Sequence, residues 1–255
     1  MALHLTPIDE LAVVTLDRPE VLNALNFELL RDLGAALDQV AGGDARALLV
    51  MGAGDRAFCA GADVKELMGR SLRAQRDGAG FGQAVFAKLD AQPIPSIALI
   101  SGYAFGGGLE LALACTFRLA ARNARLGLPG IKLGLIPGYR GTQRLPRLIG
   151  EARALEIILT GRTVEAEEAE RVGLVNRVVD GDLIDAGKSF AREMTCYSLP
   201  ALGFARDAVH RGLSTSRKEC LAIEADLNTL AFQTADATEG MTAFLEKRKP
   251  VFRDR

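Results

Sequence analysis

Tryptophan is absent from the 255 residues, and all aromatic side chains together make up only 5%. A chain so poor in rings lacks the stacking platforms that single-stranded nucleic acids and sugars need. Histidine is nearly missing as well: His4 and His210 are the only two. That argues against a Ser-His-Asp or Cys-His centre and against a multi-histidine metal site. Neither sign of charge is in excess, since 31 Lys and Arg face 32 Asp and Glu for a net charge of −1. No nucleic acid and no anionic membrane surface is therefore expected as a partner, because either would call for a basic face. The four cysteines, Cys59, Cys115, Cys196 and Cys220, form no C-x-x-C. They predict neither a disulfide framework nor a zinc site, and a reducing cytoplasm is the expected compartment. Asp9 and Glu10 interrupt the N-terminus before an apolar signal region can form. Long uninterrupted hydrophobic runs are lacking too. Between residues 91 and 117 the only acidic residue is Glu110, but Pro93, Pro95, Gly102, Gly106, Gly107 and Gly108 punctuate the stretch. It reads as buried strand, turn and buried helix rather than a membrane span.

What is present is an ordinary globular mixture, 49% hydrophobic and 25% charged. The length suits one large domain or two small ones. A short β-branched run, Leu11–Leu16, follows a turn and predicts an opening hairpin. Asn26 is placed to cap a helix with Leu29, Leu33, Ala36, Leu37 and Val40 on one face. Residues 47–51 and Ser96–Ile100 read as strands buried on both faces, with Phe117–Ala121 as a further strand. A loop is expected over 52–63, with a helix starting near Asp63, and a glycine- and proline-rich loop over 127–141. Residues 109–115 are apolar nearly all round, as a helix inside a core would be. Beyond residue 151 the pattern turns helical, over 152–159, 165–172, 183–194, 201–211, 218–231 and 236–247, with one short strand at 175–179. The order predicts an α/β body of about 180–200 residues followed by a helical part packed on it or on a neighbour.

Of the glycine clusters, residues 52–57 (GAGDRA) match a dinucleotide fingerprint only superficially, because no helix opens directly after them. No G-x-S-x-G and no G-x-x-x-x-G-K-[ST] occurs. Two other clusters share one physical idea. In Ala60, Gly61, Ala62, Asp63, Val64 and Lys65, small residues run into a helix start, and in Gly106, Gly107 and Gly108 glycines do the same. Backbone N–H groups at such places are free to face an anionic oxygen, and the helix dipole favours it. Each glycine costs about 0.5–1 kcal/mol relative to Ala in regular structure. Three in a row before Glu110, the lone acid of the apolar stretch, point to function rather than stability. A carboxylate in an apolar cleft has its pKa pushed up and suits general acid/base work.

These features coincide with a known family. Residues 18–25 (RPEVLNAL), 57–67 (AFCAGADVKEL), 102–113 (GYAFGGGLELAL) and 132–145 (KLGLIPGYRGTQRL) resemble the enoyl-CoA hydratase/isomerase, or crotonase, superfamily. So do Gly161-Arg162, the AERVGLVNRVV stretch and the C-terminal residues 239–252. The resemblance implies a crotonase-like spiral of ββα units over residues 1–195. It also implies a C-terminal helical region, 196–255, that builds trimers or dimers of trimers. It places the N–H groups of Ala62 and Gly107 as an oxyanion hole and Glu110 as a catalytic acid/base. Ala60, Ala62, Asp63, Val64, Lys65, Gly106, Gly107 and Gly130 would line the acyl-CoA site. No metal and no separate cofactor is implied, since coenzyme A enters as part of the substrate.

The resemblance implies hydration of a 2-enoyl-CoA to a 3-hydroxyacyl-CoA through a thioester enolate. One departure bears on this: Gly130 stands where a second catalytic glutamate follows the proline, and Arg140 stands where a glycine is usual. A hydratase using one glutamate, another crotonase reaction (isomerase, hydrolase or decarboxylase) and a weakly active CoA-thioester-binding paralogue all stay open. Glu66 is expected to point to solvent, and Tyr139 offers an alternative proton donor. The basic tail Lys247, Arg248, Lys249, Arg253 and Arg255 suits a phosphate contact or a solvated terminus equally.

Overall fold

The computed structural model describes residues 2–254. The chain opens with the expected hairpin, in which β1 (Leu3–Ile8) and β2 (Leu11–Leu16) pair antiparallel. Helix α1 (Phe27–Ala41) starts at Asn26, whose side chain accepts a hydrogen bond from the Leu29 N–H, and its predicted apolar face is buried. Three similar units follow. The first runs β3 (Ala47–Gly52), β4 (Ala57–Cys59), the one-turn α2 (Val64–Leu67) and α3 (Leu72–Asp90). The second runs β5 (Ser96–Ile100), β6 (Tyr103–Phe105) and α4 (Gly107–Ala114). The third runs β7 (Phe117–Ala121), β8 (Arg125–Gly127), a 3₁₀ turn Pro129–Leu133, then α5 (Gly141–Ile149) and α6 (Glu151–Thr160). After them come β9 (Val164–Glu165), α7 (Ala166–Arg171) and β10 (Arg177–Val179).

The pairing makes these units a spiral. The first strand of each unit joins a six-stranded sheet of order β1-β2-β3-β5-β7-β10, and the second joins a four-stranded sheet of order β4-β6-β8-β9. From unit to unit the strands are parallel, with Leu49 opposite Ile97, and Ile97 opposite Phe117. A parallel neighbour needs a crossover, which here is the rest of the unit. β3 and β5 are apolar on both faces because material lies on both sides of the sheet. β4 lies within the loop that the sequence predicts over 52–63, and no strand is predicted from the sequence at the positions of β6, β8 or β9. At two or three residues each they are too short to show a period, and their pairing alone makes them strands. Two further corrections concern helices. The helix expected from Asp63 is one turn long, and the main helix starts at Leu72 behind a Ser71 cap. The end of the loop expected over 127–141 is in fact the start of α5, which carries Pro146 inside it.

The chain forms two compact units, Met1–Gln92 with Ser96–Ser189, and Pro93–Pro95 with Phe190–Arg255. The division falls within α8 (Leu183–Thr195). The second unit holds α9 (Leu199–Gly212), α10 (Arg217–Phe232) and α11 (Ala235–Leu245). Asp236, nearly fully buried at the start of α11, accepts from the N–H groups of Arg253 and Asp254 and so ties down the end of the chain. In the basic tail Arg248 pairs with Glu239 and Glu246. Arg255 lies outside the described residues. No described helix is long and apolar enough to cross a membrane.

Candidate active site

The site is built where the first two units meet in the small sheet. The Leu25 N–H donates to the Gly61 carbonyl and the Asp63 N–H to the Leu25 carbonyl, each at 2.8 Å. A parallel bridge of this parity turns the N–H of Ala62 away from Leu25. A β-carbon on Gly61 would lie 3.0 Å from the Phe105 carbonyl and 3.5 Å from the Gly107 nitrogen, so this loop rests against the N-terminus of α4. Gly106 makes the turn into α4 at φ 50, a conformation that a side chain opposes. A β-carbon on Gly108 would come within 2.0 Å of the Cys59 carbonyl, so α4 approaches β4 as only glycine allows. Gly107, the first residue of α4, has no intrahelical acceptor for its N–H. Among the described residues neither the Ala62 nor the Gly107 N–H has a hydrogen-bond partner.

The loop is held from behind. Asn23, wholly buried, donates to the carbonyls of Ala53 and Ala57 and accepts from the Arg18 N–H. The Arg18 guanidinium donates to the Ala24 carbonyl and, at 3.4 Å, to Asp63, the cap of α2. Cys59 lies in the same wall, but burial pushes its thiol up to about 12, which leaves it a packing residue rather than a nucleophile.

Glu110 projects from the first turn of α4 and is 2% exposed. Its Oε1 accepts two hydrogen bonds, from the N–H of Tyr139 and of Gly141, both at 2.7 Å. Arg140 between them has φ 80, and this left-handed turn brings the flanking amides onto one oxygen. Burial holds the Glu110 carboxyl above its ordinary range. The amides of Gly141, Tyr139 and Gly138 and the charge of Arg144 pull the other way without cancelling it. Asp90, at the end of α3, accepts from both Arg140 and Arg144 and braces the turn.

Relatives match nearly the whole length of the chain. The family model described as enoyl-CoA hydratase/isomerase covers residues 8–255. The crotonyl-CoA hydratase of Syntrophomonas wolfei is 42% identical over 96% of this chain and 95% of its own. The chain belongs to the enoyl-CoA hydratase/isomerase family. The short-chain-enoyl-CoA hydratase of Clostridium acetobutylicum is 38% identical over 94% of this chain and 93% of its own. The crystal structure of an enoyl-CoA hydratase from Bacillus anthracis superposes with a TM-score of 0.95 at 36% identity, covering 100% of both chains. The spiral with its helical C-terminal region is thus the crotonase fold.

Of the residues that the family resemblance singles out, Ala60, Ala62, Gly106, Gly107 and Glu110 come together around the start of α4. Asp63 turns to α2 and Arg18, while Val64 and Lys65 are exposed. Glu66 is exposed as expected, yet it accepts from the Phe27 N–H. Gly130 sits in the 3₁₀ turn with its carbonyl bonded to the Leu135 N–H at 2.9 Å. Tyr139 does not fit the proton donor that the sequence offers. Burial, then the charges of Glu110 and Glu66, push its hydroxyl up to about 12. What it brings to Glu110 is the backbone N–H. Sequence reasoning missed the Tyr139 and Gly141 amides, although a glycine-flanked turn before the apolar period of Leu145, Leu148 and Ile149 signals a helix start. Among the described residues no group of three or more His, Cys, Asp or Glu side chains is placed to hold a metal ion.

Proposed function

We propose that the chain hydrates a 2-enoyl-CoA thioester to the 3-hydroxyacyl-CoA. The observation that carries this reading is the juxtaposition of two unpartnered N–H groups, on Ala62 and Gly107, with one buried carboxylate fixed through a single oxygen. The thioester oxygen sits between the two N–H groups, which grow more favourable as it turns into an enolate oxyanion. Losing one such donor costs about 10²–10³ in rate. Glu110 takes a proton from water, the water oxygen adds to Cβ, and the π electrons move onto the thioester oxygen. The proton on Glu110 then passes to Cα as the carbonyl re-forms, so one molecule of water is added and the carboxylate is regenerated. Oε1 is occupied by two amides, which leaves Oε2 as the oxygen that carries the proton. Ala60, Gly106 and Gly130 shape the acyl site beside it, with Asp63, Val64 and Lys65 at its outer edge. No cofactor is required beyond the coenzyme A of the substrate.

The absence of a carboxylate at Gly130 favours a second reading. A single carboxylate that removes a proton from one carbon and returns it to another suffices to move a double bond from the 3- to the 2-position. A panel of 2-enoyl-CoA and 3-enoyl-CoA esters, followed at the conjugated thioester absorbance, separates the two. Loss of absorbance from 2-enoyl esters supports hydration, a gain from 3-enoyl esters supports isomerisation, and no change with either overturns both.

The active assembly is a trimer or a dimer of trimers in the cytoplasm. The free state of all four cysteines supports the compartment. The exposed apolar side chains of the second unit, with Phe244 at 81% and Leu245 at 79%, support the assembly. Light scattering should return at least three times the 27.2 kDa of one chain, and a monomer mass would overturn the assembly.

A further inference from the structure

We infer that the ring of Tyr139 is the end wall of the acyl pocket and makes this protein a selector of short acyl chains. The inference rests on the enolate reading of the site and adds to it a residue that decides substrate length. The ring stands between α3 and α4. A β-carbon on Gly107 would lie 3.3 Å from its Cδ2, so the ring flanks the residue whose N–H faces the thioester oxygen. A β-carbon on Gly82 of α3 would come within 2.2 Å of its Cε1, so the ring occupies the space that any side chain at that position would take. Phe86, one turn further along α3, meets it edge-on with ring centroids 5.4 Å apart. The backbone N–H of Tyr139 itself holds Glu110. An acyl group whose carbonyl lies at Ala62 and Gly107, and whose Cα and Cβ lie within reach of Glu110, therefore has this ring next in line. The ring is 7% exposed and locked by packing against α3, so it acts through its shape.

The test measures two things on the full-length protein. One is kcat/KM for 2-enoyl-CoA esters with four- and ten-carbon acyl groups. The other is binding of the saturated butyryl- and decanoyl-CoA esters, which need no chemistry, by titration calorimetry. The wild type should favour the short ester in both. Tyr139→Ala should raise the long-to-short ratio in both by at least about tenfold, the low end of what one methylene in a pocket is worth. Tyr139→Phe should leave the ratio where it was. Adding Gly82→Leu to Tyr139→Ala should bring it back, because the leucine refills the space from the α3 side. Tyr139→Leu, with a smaller apolar filling, should shift the ratio in the same direction if the alanine variant does not fold. A wild type that prefers decanoyl-CoA, or a ratio in the alanine or leucine variant within about threefold of wild type, would overturn the inference. Normal turnover of the short ester with an unmoved ratio would remove the wall and leave the enolate reading standing. A shifted binding ratio with no turnover of any ester would do the reverse, and failure of every ester to bind would remove both.

Discussion

The backbone amide of Gly141 lies 2.7 Å from Oε1 of Glu110, and a β-carbon on the same glycine would lie 2.9 Å from that oxygen. The residue that holds the carboxylate can do so only because it has no side chain. Gly141→Ala is expected to push Glu110 off its clamp and lower turnover by about 10²-fold, within the range of one lost catalytic hydrogen bond. Circular dichroism should show the fold retained, since α5 already begins here. Steady-state kinetics check the loss, and turnover near wild type would mean that the clamp does not matter.

Glu110→Gln should retain acyl-CoA binding and lower turnover by about 10²–10⁴-fold, the usual contribution of a general acid/base. The same variant tests the electrostatics. Burial raises the carboxyl pKa in the folded protein above its unfolded value. The proton-linked stability is therefore complete below the unfolded pKa and is lost as pH rises through the folded one. At neutral pH the wild type carries the cost of a buried ionised group. Thermal melts should show the glutamine variant more stable than wild type near neutrality, with the difference shrinking as pH falls into the carboxylate range. The acid limb of kcat/KM should likewise lie above the range of an ordinary carboxylate, because Glu110 starts the reaction ionised.

Gly130→Glu asks whether a second carboxylate limits hydration. A β-carbon at this position would lie 3.4 Å from the Leu135 carbonyl, a contact that the exposed turn accommodates. A glutamate facing the substrate beside Glu110 would share the proton work, and repulsion would raise one of the two pKa values toward neutrality. Crotonyl-CoA hydration should rise about tenfold, equivalent to ~1.4 kcal/mol off the barrier. A fall in turnover would instead mean that the missing side chain at 130 makes room for the acyl group.

Arg118 is expected to matter for stability rather than for chemistry. It is buried, and its guanidinium donates to the carbonyls of Ala112 and Cys115 at the C-terminal end of α4 and to that of Leu174. Burial pulls its pKa down to about 10, still far above neutrality, so it stays a cation at the negative end of the helix that carries Glu110. Arg118→Met leaves those carbonyls unpaired and should cost about 2–4 kcal/mol in denaturant unfolding. A change below about 0.5 kcal/mol would show that water replaces the guanidinium.

Much of this architecture was legible before any coordinates. Runs such as residues 47–51 and 96–100 are apolar without interruption, and burial on both faces follows from that alone. Asn26 named the start of α1, and three glycines before a lone acid named the start of the site. The strands of the small sheet were not legible, because a three-residue segment such as 57–59 has no periodicity until a neighbour supplies its hydrogen bonds. α5 was hidden for a different reason: Gly141 opens it and Pro146 interrupts it, and local propensity opposes both.

The chain's own residue order thus determined that a buried carboxylate would follow a glycine-built helix start, that the core would be α/β, and which family's motifs it carries. Those properties are local, set by spacing and side-chain chemistry along one stretch of chain. Only the tertiary structure decided that the amides of Tyr139 and Gly141 would converge on Glu110, 29 and 31 residues away in sequence, and that the Tyr139 ring would fill the space left by Gly82. Backbone N–H groups carry no residue identity. The place where two of them meet one oxygen depends on the turn at Arg140 and on how the spiral stacks its units.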